Sequence, residues 1–100
     1  MIEVSLIITT YNNSSFLIPC VLSALDQKFP PAEIIIADDG SNEKERLKIL
    51  TFFKDSKIPI IHVWHEDLGF RAALIRNRAI AQAKSPYIVL VDGDMILHPY

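Results

Sequence analysis

Four short runs rich in isoleucine and valine constrain the fold of this chain more than any other feature of its sequence. They occupy residues 4–8, 34–37, 58–63 (interrupted early by Pro59) and 87–91, each bounded by polar or turn-forming residues. None alternates cleanly with polar residues, so none reads as a strand with one wet face. Unbroken apolar runs of this length fit strands buried on both faces, as in a parallel sheet covered by helices.

Three segments of helical period separate the runs. Over residues 15–27, Leu17, Val21, Ala24 and Leu25 fall on one face, with Pro19 awkwardly inside. The second helix opens with Asn42 and has Glu45 three residues on, the pattern of a capping box, and its buried stripe is expected at Leu47, Leu50 and Phe53 or Phe52. The third covers residues 70–84 and stops before Ser85-Pro86. Its wheel gathers Ala72, Ala73, Arg76, Ala79, Ile80 and Ala83 on one stripe, with Arg76 in the middle. A guanidinium there must pair with an aspartate at a strand end, the commoner outcome for a buried arginine, or meet a bound phosphate. The order β-α-β-α-β-α-β with right-handed crossovers makes an open, three-layer α/β sheet. No low-complexity segment or linker interrupts it, so no domain boundary is drawn within residues 1–100.

Such sheets bind ligands outside the carboxyl ends of their strands, and the polar residues fall there. The first run ends in Thr9-Thr10-Tyr11-Asn12, the second in Asp38-Asp39-Gly40-Ser41, and the fourth in Asp92-Gly93-Asp94. Asp92 and Asp94, one residue apart with Gly93 to relax the backbone between them, form either a solvated turn or a site for Mg²⁺ or Mn²⁺. Those ions take one or two carboxylates together with phosphate oxygens. Of Asp38 and Asp39, one suffices to cap the helix that follows; the other is free to accept from a nucleobase N–H. Arg71, nearer the rim than Arg76, is the better candidate for ligand contact. His62 reads as strand packing and Trp64 as core or rim packing, while His65 and His98 are assigned no role.

Charge and cysteine content narrow the field. A net charge of -2 argues against a nucleic-acid partner. A single Cys20, inside the first helix, reads as a buried thiol and excludes an internal disulfide. Met1-Ile2-Glu3 lacks a basic leader before the first apolar run, which is too short for a membrane span, so the expected address is cytoplasmic.

Taken together, VSLIITTYNN, EIIIADDGS, HEDLGFRAALIRNRAIAQAK and YIVLVDGD resemble, in order and spacing, the N-terminal part of family 2 glycosyltransferases with the GT-A fold. The segments GFRAALIRNRAI and DGDMILHP are most similar to those of bacterial chondroitin polymerases and related capsule or lipopolysaccharide enzymes. The resemblance implies strand order 3-2-1-4. It implies that Thr9 and Tyr11 flank the uracil and ribose of a UDP-sugar, that Asp39 bonds the uracil ring, that Asp38 steadies the loop, and that Arg71 lies near the nucleotide. Asp92 and Asp94 resemble the family's D-x-D, the first near ribose and metal-bound water, the second on an Mn²⁺ or Mg²⁺ ion bridging the diphosphate. The implied reaction is inverting transfer of a hexosyl or N-acetylhexosaminyl group to a glycan acceptor, at the inner face of the membrane in a longer enzyme.

In that family the general base and acceptor surface lie beyond D-x-D, so the chain is expected to be incomplete for catalysis. A non-catalytic nucleotide-binding module is the alternative. A dinucleotide-dependent oxidoreductase would need a glycine-rich turn after the first strand, and residues 9–13 contain no glycine. A phosphoacceptor receiver domain would need its acidic pair there. With the fourth strand at an open edge, self-association through it is expected.

Overall fold

The computed structural model describes residues 3–67, 69 and 72–93. The elements are β1 (Val4–Thr10), α1 (Ser14–Leu25), β2 (Glu33–Asp38), α2 (Glu43–Phe53), β3 (Ile60–Trp64), α3 (Ala72–Gln82) and β4 (Tyr87–Asp92). The strands are parallel and ordered β3-β2-β1-β4, as the resemblance implied.

The central strands explain why the apolar runs do not alternate. Ile34, Ile35, Ile36 and Ala37 of β2 are all fully buried. Ile34 and Ile36, with Leu6 and Ile8 of β1, face α1 and α2. Ile35 and Ala37, with Ile7, face Ile75 and Ala79 of α3. Successive strand side chains point to opposite faces, so a strand with helices on both sides must be apolar throughout. Each such side chain contributes roughly 1.5–3 kcal/mol by leaving water.

The helices follow the sequence, with corrections to the capping box of α2 and to the buried stripes of α2 and α3. In α1, Leu17, Cys20, Val21 and Ala24 are buried, and Leu25 packs at the core's margin. Pro19 lies inside that helix, where it removes an N–H bond to the carbonyl of Ser15. Both residues are exposed, which leaves water to serve that carbonyl. The Asn42 side chain accepts from the Glu45 N–H at 3.0 Å, but the box is only half formed. Glu45 turns instead to the Ser14 hydroxyl, and the Asn42 N–H bonds the Asn12 side chain at 2.7 Å.

The buried stripe of α2 is Ile49 and Phe53; Leu47, Leu50 and Phe52 are about half exposed. In α3 the stripe is centred on Ile75 and Ala79 rather than on Arg76, which is exposed. A rotation of one residue, about 100°, separates the two arrangements, and the cost of desolvating a guanidinium favours the one observed.

At the opposite rim, the buried Glu33 ties the sheet to the segment entering β4. Its Oε2 accepts from the Ser5 hydroxyl and the Lys84 N–H, both at 2.6 Å, and the Ser5 Oγ accepts from the Ser85 N–H at 3.2 Å. Strand β4 lies at the sheet edge, and Tyr87, Ile88, Val89 and Leu90 are all exposed. No helix among the described residues is long and apolar enough to cross a membrane.

Candidate functional site

Parallel register brings the carboxyl ends of the strands to one level. Thr9 sits opposite both Asp92 of β4 and Ala37 of β2, and Asp38 sits opposite Trp64 of β3. Beyond this level opens a cleft of about 590 Å³ whose lining includes Thr9, Tyr11, Asp39, Asp67, Arg76 and Asp92. Four of the residues singled out in the sequence, Thr9, Tyr11, Asp39 and Asp92, thus share one cavity although they come from three strand ends. Arg71, Asp94 and His98 lie outside the described residues.

Two close approaches shape this rim. A Cβ on Gly93 would stand 2.4 Å from the Thr9 carbonyl oxygen. Its φ is not in the left-handed region, so it is the close contact between β4 and β1 that requires glycine here. Gly40 has φ of +99°, and a Cβ there would meet the Asp67 backbone at 2.6 Å. That contact seats the loop after β3 against the loop after β2.

Hydrogen bonds lock the loops together. Asn12 adopts φ of 45°, a conformation asparagine tolerates better than most residues. Its N–H donates to the Ser41 Oγ at 2.8 Å. The Tyr11 hydroxyl donates to Asp67 Oδ2 at 2.6 Å. The Asp67 carboxylate, through that bond and through its charge, raises the Tyr11 pKa, so the phenol remains a donor at neutral pH. The Thr9 hydroxyl donates to Asp92 Oδ1 at 3.2 Å. Thr10 Oγ1, also at the cleft wall, is buried with no hydrogen-bond partner among the described residues.

The two aspartates at the end of β2, Asp38 and the Asp39 that follows it, have separate fates. Asp38 is fully buried; its Oδ1 accepts from the Ser41 N–H at 2.9 Å, which steadies the loop as expected. Its Oδ2 lies 2.7 Å from His62 Nε2. Asp39 reaches the cleft, and its Oδ1 lies 2.5 Å from His65 Nε2. Sequence reasoning gave His62 a packing role and His65 none, whereas each is within hydrogen-bond distance of one of these aspartates. A signal existed for His62. Trp64 faces Asp38, and a residue two positions earlier on the same strand shares that face.

Trp64 serves the rim rather than the cleft. Its indole N–H donates to the Ser41 carbonyl at 3.0 Å, and the Arg46 guanidinium sits 4.1 Å from its ring centroid. No group of three or more metal-ligating side chains occurs among the described residues. Asp92 offers an exposed carboxylate beside a hydroxyl, an oxygen-only set suited to a hard ion that keeps part of its water.

The sequence pattern of Glycosyl transferase family 2 matches residues 5–100, and the chain belongs to that family. Its fold is the GT-A arrangement of an open parallel sheet. Chondroitin synthase of Pasteurella multocida is 34% identical over 95 residues, covering 94% of this chain and 10% of that protein. TarS 1-349 of S. aureus, solved in complex with UDP-GlcNAc, superposes with a TM-score of 0.78 at 26% identity, over 93% of this chain and 27% of that one. The mannosyltransferase PcManGT of Pyrobaculum calidifontis, solved with GDP-Man and Mn2+, superposes with a TM-score of 0.79 at 21% identity, over 92% of this chain and 27% of that one; it shares the fold. The chain spans between 10% and 31% of the length of three curated relatives.

Proposed function

We propose that this chain is the donor-binding half of an inverting, metal-dependent glycosyltransferase that uses a UDP-sugar. The observation that carries the reading is the convergence of Thr9, Tyr11, Asp39 and Asp92 on one cleft of about 590 Å³, a volume suited to a nucleotide-sized ligand. The UDP-GlcNAc complex of TarS and the likeness to chondroitin synthase support the choice of donor class.

In this reading Asp39 accepts from the uracil ring N–H, and Thr9 and Tyr11 flank uracil and ribose. Asp92 and Asp94 form the D-x-D pair that holds Mn²⁺ or Mg²⁺, and Arg71 lies near the nucleotide. The ion, when bound, neutralises charge on the departing UDP. The acceptor hydroxyl oxygen forms the new bond to the anomeric carbon as the bond to the diphosphate oxygen breaks, and its proton passes to a general base. The transferred group is a hexosyl or N-acetylhexosaminyl unit, and the product is a polysaccharide, capsule or lipopolysaccharide glycan made on the cytoplasmic side of the membrane.

Titration calorimetry with UDP tests the reading. Binding should be strong with Mn²⁺ and much weaker with chelator, and Asp94→Ala should remove the difference. Equal binding under both conditions would defeat the metal assignment, and no binding under either would defeat the donor assignment. The proposal extends to assembly: a second copy pairs along β4, whose edge carries Val89 and Leu90 at 45% and 46% exposure. Sedimentation should show a dimer that Val89→Lys dissociates; a monomer at high concentration would rule this out.

A further inference from the structure

Asp38 and Asp39 are neighbours in sequence, and each meets a histidine from the β3 side. Both oxygens of Asp38 are engaged by the protein, and the residue has no exposure, so it holds the scaffold. Asp39 lines the cleft while its Oδ1 is held by His65 Nε2 at 2.5 Å. An ionised carboxylate only accepts, so Nε2 carries the proton and donates. Contacts of this charge-assisted kind are short and about twice as strong as neutral ones.

His65 is itself buried, and it is not among the residues lining the cleft. Its influence on a bound ligand therefore passes through Asp39. The carboxyl torsion of an aspartate is broad when nothing holds it, and a histidine clamped to one oxygen removes that freedom.

We infer that His65 is a positioning residue for base recognition, fixing the Asp39 carboxylate so that the cleft accepts uracil and rejects cytosine. The inference rests on the reading in which Asp39 meets the base. Uracil presents a ring N–H at the position where cytosine presents a lone pair. A carboxylate fixed toward that position gains a hydrogen bond from the first and is repelled by the second. A carboxylate able to turn aside loses part of both effects, so discrimination falls along with affinity.

The experiment compares dissociation constants for UDP and CDP, both with Mn²⁺, in the 100-residue chain and its variants. The amide of His65→Gln reaches the region of Nε2 and can donate, whereas His65→Asn stops short. His65→Met, similar in length but without a donor, is a second disabling variant should the first not fold. His65→Asn and His65→Met should weaken UDP about tenfold and shrink the UDP-over-CDP preference by a similar factor. His65→Gln should keep both within about threefold of the parent. Equal weakening of UDP and CDP in a folded disabling variant would mean a merely structural role and overturn the inference. Asp39→Asn separates the two levels. If it abolishes the preference while His65→Asn preserves it, the positioning role fails and the base-reading role stands; if it leaves the preference intact, the base-reading role itself fails.

Discussion

Along the β2 side of the cleft, Asp38 and Asp39 are buried and each is clasped by a histidine. At the end of β4, Asp92 is open to solvent, and its carboxylate meets only the Thr9 hydroxyl among the described residues. The first side has already borne the cost of desolvating its charges and has fixed their direction. The second keeps its carboxylate hydrated, the state suited to taking up a hard ion that retains part of its water. Shape-selective recognition of a neutral ring benefits from a prebuilt wall, whereas neutralising a diphosphate requires a wall still able to take up charge.

This contrast is most exposed to attack at Asp38. Asp38→Ala leaves His62 buried without its carboxylate and the Ser41 N–H without its acceptor. With two buried groups left unsatisfied at about 1–3 kcal/mol each, it should cost about 2–5 kcal/mol in urea unfolding; a loss below about 1 kcal/mol would mean that this side is not prebuilt. Gly93→Ala comes next. Its new methyl would lie 2.4 Å from the Thr9 carbonyl oxygen, so β4 must shift away from β1. A loss of about 1–3 kcal/mol is expected, together with weaker UDP binding, and an unchanged midpoint would show that the edge yields freely.

Asp92→Asn sharpens the comparison from the other side. Its effect on unfolding should stay within about 0.5 kcal/mol, while the Mn²⁺-dependent part of UDP binding disappears. Destabilisation on the scale of Asp38→Ala would erase the distinction between the two sides.

The smallest effect concerns Tyr11. Its hydroxyl bond to Asp67 raises its folded pKa above the usual 10.0, so the contribution to stability is complete below that value and is lost as pH rises through the folded pKa. Phenolate absorbance should show one tyrosine titrating late, and Asp67→Asn should bring it back toward the ordinary range. A late transition that survives Asp67→Asn would assign the shift to another group.

The strands and the polar strand ends were legible in the sequence because both depend on local pattern: apolar runs for buried strands, and hydroxyls and carboxylates immediately after them; the order of the strands in the sheet came from the family resemblance. The stripe of α2 was not. Of the expected positions only Phe53, the alternative to Phe52, is buried; Ile49 rather than Leu47 or Leu50 joins it, and packing against α1 and the sheet makes that choice. In α3 the small alanines fit either of two neighbouring stripes. The large Ile75 settles the choice by filling space against Ile35, which no wheel drawn from one helix contains. His65 was invisible for a different reason. It lies just past β3, where strand periodicity no longer says which way a side chain points, so its bond to Asp39 depends on loop geometry.

The buried Glu33 bears on how this sheet could be re-engineered. Strand β4 has little core to hold its alignment, since of its residues only Val91 packs against the buried cluster. Strands with such weak apolar anchoring are prone to slip by one residue, which exchanges their faces. Here the Lys84 and Ser85 amides are fastened to Glu33 and Ser5 before the strand begins, so a carboxyl group indexes β4 where burial cannot. Added residues in the turn between α2 and β3 would therefore be absorbed as a longer loop, but the same residues inserted between Ser85 and Tyr87 would uncouple the strand from its index. Asp92 would then arrive at the wrong height on the rim, and a change made at one end of the sheet would be read out as a displaced cleft wall at the other.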